Sequence, residues 1–120
     1  MLDMTEPLHI LRHSTLGEIV GVHTHNGTYQ YRNIPYASIS GRWDHSQLRD
    51  GPLGAKTAYD ATKWGPMAPQ LPDSIAIDFD IIQKELPFNY DLEVDEYKCL
   101  NLVVTTPVVT RDEKLPVLFM

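Results

Sequence analysis

Five serines, five histidines and one cysteine carry whatever nucleophilic and general-base chemistry this 120-residue chain can offer. A catalytic serine needs a base, an oxyanion hole and a backbone that exposes its hydroxyl, as the G-x-S-x-G strand-to-helix turn does. Ser14, Ser38, Ser40, Ser46 and Ser74 all lie outside that context, and no HGG stretch is present to supply oxyanion donors. Cys99 would need a helix N-terminus or a facing cation to become a thiolate. Its neighbour Lys98 points to the opposite face of a strand, so Cys99 reads as a reduced, largely buried structural thiol. His23 and His25, two apart, would share a strand face and could begin a metal site, but no nearby carboxylate or thiol completes the set. They read as a solvated face. His9 and His13 would share a face if their segment were helical, which Pro7 does little to support. No catalytic, cofactor-binding or metal-binding residue is therefore assigned, and no cofactor is expected.

The elements available to position side chains are short. EIVGVHTH and TYQYRNI are two β-prone runs separated by Asn26-Gly27, the preferred pair for a type I′ hairpin turn. The pattern predicts a hairpin that turns at this pair, with Val20 and Val22 on one face and His23 and His25 on the other. Ile34-Pro35 should end its second strand, because Pro lacks the ladder N–H. Residues 38 to 74 are punctuated too often by Gly and Pro for long elements. A short helix is expected within Ser74 to Leu86, closed by Pro87. CLNLVVTT, residues 99 to 106, reads as a strand, and LPVLFM, residues 115 to 120, as a strand buried on both faces. Trp43, Trp64, Tyr29, Tyr31, Tyr36 and Tyr59 lack interleaved Lys or Arg and read as core and loop packing rather than base-stacking platforms.

Composition narrows the classes. The 42% hydrophobic content is that of a globular chain. A formal charge of -6 opposes phosphate-backbone binding, so no nucleic acid is expected. No apolar stretch reaches membrane-spanning length, and the N-terminus has no signal-peptide pattern. With one cysteine and no internal disulfide possible, a cytoplasmic location is expected.

Four segments taken in order resemble the N-terminal portion of the type-B carboxylesterase and cholinesterase-like lipase family. They are TLGEIVGVHTHNGTYQYRNIPYA, GRW, YDATKWGPMAPQ and CLNLVVTTP…KLPVLFM, together spanning residues 16 to 120. The resemblance implies an α/β fold: the N-terminal portion of an α/β hydrolase, with the hairpin as a small antiparallel sheet and the last two strands opening the central sheet. The chain as given would be loop-rich and incomplete, with residues 1–15 a disordered or loosely packed lead-in and no helices yet covering the sheet. In the family the cysteine of "GPxCPQ" pairs with that of "C-L-x-L"; here Ala68 stands at the first position and leaves Cys99 without that partner. The family also pairs the Arg before its aromatic with an acid just ahead of the cysteine. EYKC replaces the usual SEDC, which displaces the acid by one residue and makes Arg42 a candidate for an ion pair with Glu96.

The same resemblance implies that the parent enzyme hydrolyses a small-molecule carboxylic ester through a serine acyl-enzyme. Its nucleophile, acid and histidine would all lie beyond Met120, which leaves this chain as scaffold and gorge rim, inactive by itself and prone to self-association. The rival reading is a small β-rich binding or interaction module with no enzymatic activity.

Overall fold

The computed structural model describes residues 7–70, 93–108 and 114–120. Seven strands occur among them: β1 (Leu8–His13), β2 (Gly17–His23), β3 (Thr28–Pro35), β4 (Ala37–Ser38), β5 (Gln47–Leu48), β6 (Tyr59–Asp60) and β7 (Asn101–Pro107). No helix occurs among the described residues, and the helix expected within 74–86 lies outside them. The main sheet runs β1-β2-β3-β7, with β6 joined to β2, and β4 pairs with β5 in a separate two-stranded ladder.

The hairpin forms where expected but by a different turn. Thr24 N–H donates to Thr28 O at 2.8 Å and Gly27 N–H donates to Thr24 O at 3.0 Å. The loop therefore holds three residues, His25 to Gly27, rather than two. Gly27 alone takes a left-handed φ, of 73°, while Asn26 stays at negative φ. This is a type I turn closed by a glycine bulge, not the type I′ turn that needs both central residues left-handed. Consequently His25 sits in the turn, and only His23 is a strand residue. Val20 and Val22 share one face of β2, as strand alternation requires.

Residues 8–13 are not a loose lead-in. They pair in full antiparallel register with β2, from Leu8 opposite Val22 to His13 opposite Gly17. The sequence signal was weak because β1 is an edge strand with mostly exposed side chains, so it carries no strong alternation. Pro7 lies just before the strand, where its carbonyl accepts from His23 N–H at 2.7 Å.

β2 and β3 pair directly only at Val22–Gln30 and His23–Tyr29, and then part. The gap is filled by the segment after β6. Ala61 N–H donates to Val20 O on β2, and Ala61 O accepts from Arg32 N–H on β3, both at 2.8 Å. Ala61 is fully buried there, with Ile19, Tyr31 and Leu53 around it. β3 then shifts register against β7 between Tyr31 and Ile34, and Asn33 at φ 55° absorbs the irregularity. Asn tolerates this region better than a branched residue would.

β7 pairs antiparallel with β3, so the CLNLVVTT strand extends the hairpin sheet. Leu115–Met120, expected as a buried strand, forms no strand, and its side chains are exposed. A strand exists only through ladder partners, and among the described residues nothing pairs with this segment.

Two stability outcomes follow from the packing. Gly27→Ala places a Cβ in the left-handed region and should cost about 1–2 kcal/mol in chemical denaturation. Asn26→Ala should cost clearly less; equal losses would point back to the two-residue turn. Ala61→Leu overfills the gap between β2 and β3 and should cost about 1–3 kcal/mol.

Candidate functional site

The densest cluster of titratable and aromatic groups lies on the core face of β1, β2 and β3. Gly21 makes it possible. A Cβ on Gly21 would lie 2.5 Å from the Tyr31 ring and 2.6 Å from Gln30 O, so only glycine lets Tyr31 lie across β2. Tyr31 thereby reaches His9 on β1, whose Nδ1 is 2.8 Å from the phenol oxygen. The His9 ring stacks on Tyr29 at 3.6 Å between centroids, and Tyr29 also meets His23 at 5.4 Å. Burial first, and Tyr29 second, push the Tyr31 phenol above its ordinary pKa, so it remains a neutral hydrogen-bonding group. The cluster ties three strands together. It holds no carboxylate, and no group of three or more potential metal ligands converges among the described residues.

Among the described residues no hydrogen bond joins a serine to a histidine. His9 bonds Tyr31, and His13 Nδ1 accepts from the backbone N–H groups of Thr15 and Leu16 in the β1–β2 loop. Ser74 lies outside the described residues. The aromatic expectations divide: Tyr29, Tyr31 and Tyr59 pack in or against the core, whereas Trp43 is 95% exposed at a left-handed φ of 74°. Trp64 is half exposed, with the Arg32 guanidinium 4.7 Å above its ring. The same guanidinium donates to Gln30 Oε1 and to Thr62 O.

A second locus gathers residues far apart in sequence. Met67 N–H donates to Glu93 O at 2.8 Å, and Asp95 N–H returns a bond to Met67 O at 3.1 Å. Asp95 Oδ1 accepts from the N–H groups of Tyr97 and Lys98, folding the turn that precedes Cys99. Asn101 Nδ2 donates to Pro66 O at 2.9 Å and to Lys98 O at 3.1 Å. Gly65 packs so closely on Asn33 and Asn101 that a Cβ would fall 2.5 and 2.4 Å from their side-chain oxygens. Cys99 is a free thiol, half-buried rather than largely buried, and its Sγ lies 3.5 Å from Glu96 O.

Arg42 and Glu96 form the expected pair, in bidentate geometry: Nε to Oε2 at 3.1 Å and Nη2 to Oε1 at 2.8 Å. It is not buried. Arg42 is two-thirds exposed and Glu96 over one-third, so water screens the pair and it orients the loop more than it stabilises the fold. Sequence could suggest the partners but not their exposure, which depends on what lies over them.

The segments GRW, GPMAPQ and EYKCLN thus meet in space through Arg42–Glu96, Met67–Glu93/Asp95 and Asn101–Pro66. Against this geometry, the chain is 36% identical over 102 residues to Lipase 3 of Yarrowia lipolytica. The match covers 82% of this chain and 20% of that lipase, so the chain spans about a fifth of its relative's length. No protein-family profile matches the chain, and no solved structure does. The chain is thus related, at a distance and in part, to a lipase.

Glu96 is held below the usual carboxylate range, chiefly by the Arg42 hydrogen bond, and Asp95 likewise by the Tyr97 N–H. Depressed carboxylates stabilise the fold above their unfolded pKa, and that contribution is lost as pH falls through the folded value. Arg42→Ala should therefore raise the Glu96 titration midpoint in carbon-detected NMR and leave Asp95 nearly unmoved. An unchanged Glu96 midpoint would mean that the pair does not form in solution.

Proposed function

We propose that this chain is the N-terminal, non-catalytic portion of a carboxylic ester hydrolase of the type-B carboxylesterase kind. It supplies scaffold and gorge rim to a serine esterase whose nucleophile, acid and histidine are carried elsewhere in the polypeptide. The observation that carries the reading is the convergence of three of the segments with the family-like pattern, held by named contacts although they lie up to 54 residues apart. The similarity to Lipase 3 of Yarrowia lipolytica supports ester hydrolysis as the parent reaction. The substrate class is a small-molecule carboxylic ester.

In this reading the chain contributes position rather than chemistry. The turn at Asp95 and the bridge from Met67 to Val94 fix the start of β7. They also bring Met67, the neighbour of residue 68, against the turn that precedes Cys99. The family's disulfide would link these two places; Ala68 and a free Cys99 leave the hydrogen bonds from Met67 and Asn101 to hold them.

The decisive experiment is to read the transcript past the Met120 codon. An HGG within a few codons and a downstream G-x-S-x-G are expected; a continuing frame with neither would sink the proposal. Two protein measurements accompany it. The 120-residue chain should hydrolyse short p-nitrophenyl esters no faster than a site-free control. Ala68→Cys should form a disulfide with Cys99 under mild oxidation, detected as a loss of two free thiols without dimer formation; two persistently labelled thiols would count against the family geometry.

A further inference from the structure

The Asn26-Gly27 pair that builds the hairpin turn also carries chemistry of its own. Both residues are exposed at the tip between β2 and β3, and among the described residues no hydrogen bond engages the Asn26 amide. Four asparagines occur in the chain, and Asn26 alone is followed by glycine. Asn33 precedes Ile34, Asn89 precedes Tyr90 and Asn101 precedes Leu102. Asn101 Nδ2 is tied down besides, by Pro66 O and Lys98 O. A glycine has no side chain to obstruct the approach of its nitrogen to the Asn26 side-chain carbonyl carbon. A Cβ on Gly27 would meet nothing within 4 Å, so the space around this residue is open. What restrains the nitrogen is one hydrogen bond at an exposed turn, from Gly27 N–H to Thr24 O at 3.0 Å.

We propose that Asn26 is a site of deamidation, and that its isoaspartyl product undoes the start of the hairpin. When the turn opens locally and releases Gly27 N–H from Thr24 O, the Gly27 nitrogen attacks Asn26 Cγ. The N–Cγ bond forms, the Cγ–Nδ2 bond breaks, and ammonia leaves with the proton that the Gly27 nitrogen gives up. The product is a succinimide ring, and water is the only other reactant. Water adding at Cγ breaks the N–Cγ bond and leaves aspartate. Water adding at the Asn26 backbone carbonyl carbon breaks the original peptide bond and leaves isoaspartate, whose main chain runs through Cβ and Cγ. That main chain is longer by one carbon. The loop is closed tightly by Thr24 and Thr28, through a backbone bond and an Oγ1 pair, both at 2.8 Å, and the longer loop does not fit this closure. Direct pairing of β2 with β3 consists of Val22–Gln30 and His23–Tyr29, close beside the turn. Tyr29 also carries the stacked ring of His9 and meets His23, so losing these pairs loosens the aromatic cluster as well. The proposal does not depend on the hydrolase reading.

Prolonged incubation of the purified 120-residue chain at mildly alkaline pH tests it, read by peptide mass mapping and by enzymatic methyl labelling of isoaspartate. The peptide that contains Asn26 should exchange its amide for an acid, with isoaspartate exceeding aspartate, while those of Asn33 and Asn101 keep their amides. The denatured chain should convert Asn26 several-fold faster than the folded one, because Gly27 N–H is then free of Thr24 O. Asn26→Gln, whose longer side chain must close a larger ring, should show no conversion at that position. The isoaspartyl form, separated by ion exchange, should lose the NMR contacts across Val22–Gln30 and His23–Tyr29. Asn26→Asp, which adds the charge without lengthening the main chain, should keep them. An Asn26 amide that lasts in the folded chain as long as those of Asn33 and Asn101, equal rates in the folded and denatured chains, conversion that persists in Asn26→Gln, or an isoaspartyl form that retains both strand pairs would each overturn the proposal.

Discussion

The structure depends on a bridge made by one small residue. β2 and β3 begin as an ordinary hairpin, then separate, and a parted pair of strands leaves unpaired N–H and C=O groups in a dry interior. Ala61 supplies both missing partners, donating to Val20 O and accepting from Arg32 N–H. The site admits little more than a methyl group, because Ile19, Tyr31 and Leu53 fill the space around it. Neighbouring contacts hold the bridge in place. Asp60 Oδ1 accepts from Thr62 N–H and Oγ1, which also depresses the Asp60 carboxylate. Tyr59 donates its hydroxyl to Asn33 O across the gap. The main sheet thus stays joined, since an irregular segment completes the ladder where the hairpin alone cannot.

The widening of the hairpin also sets where the second locus stands. Once β3 has shifted register at Asn33, its end meets the start of β7, and Tyr36 N–H donates to Leu100 O. Gly65 and Asn101 then pack against Asn33, which draws the GPMAPQ segment onto the turn before Cys99. Arg42 reaches that turn from another loop. The contacts are mostly backbone hydrogen bonds and amide side chains, which fix direction well and release little hydrophobic free energy. Such a locus holds a shape, and its two depressed carboxylates, Asp95 and Glu96, are engaged by the turn and by Arg42.

Among the described residues Ile19, Val22, Tyr31, Leu53 and Ala61 are the buried hydrophobics. The apolar residues that could enlarge this core stand outside, concentrated along β7 and Leu115–Met120. An exposed apolar flank of this kind gains stability from whatever covers it.

Much of this was legible in the residues themselves. Two β-branched runs around Asn26-Gly27 specified the hairpin, Pro35 its end, and the Gly and Pro spacing the irregular stretch that follows, because these signals act through local backbone sterics. The pairing of Arg42 with Glu96 was legible only through the resemblance. Other features belong to tertiary structure. Which residue of the turn is left-handed was decided by strand register, since Thr24 and Thr28 face each other and leave three residues between them. β1 became a strand because β2 offered an edge, not because its own pattern was strong. Ala61, unremarked in sequence, became the centre of the sheet through contacts with residues about 30 and 40 positions away. LPVLFM shows the converse: its composition is that of a buried strand, but β pairing is non-local, and apolar side chains alone supply no ladder partner.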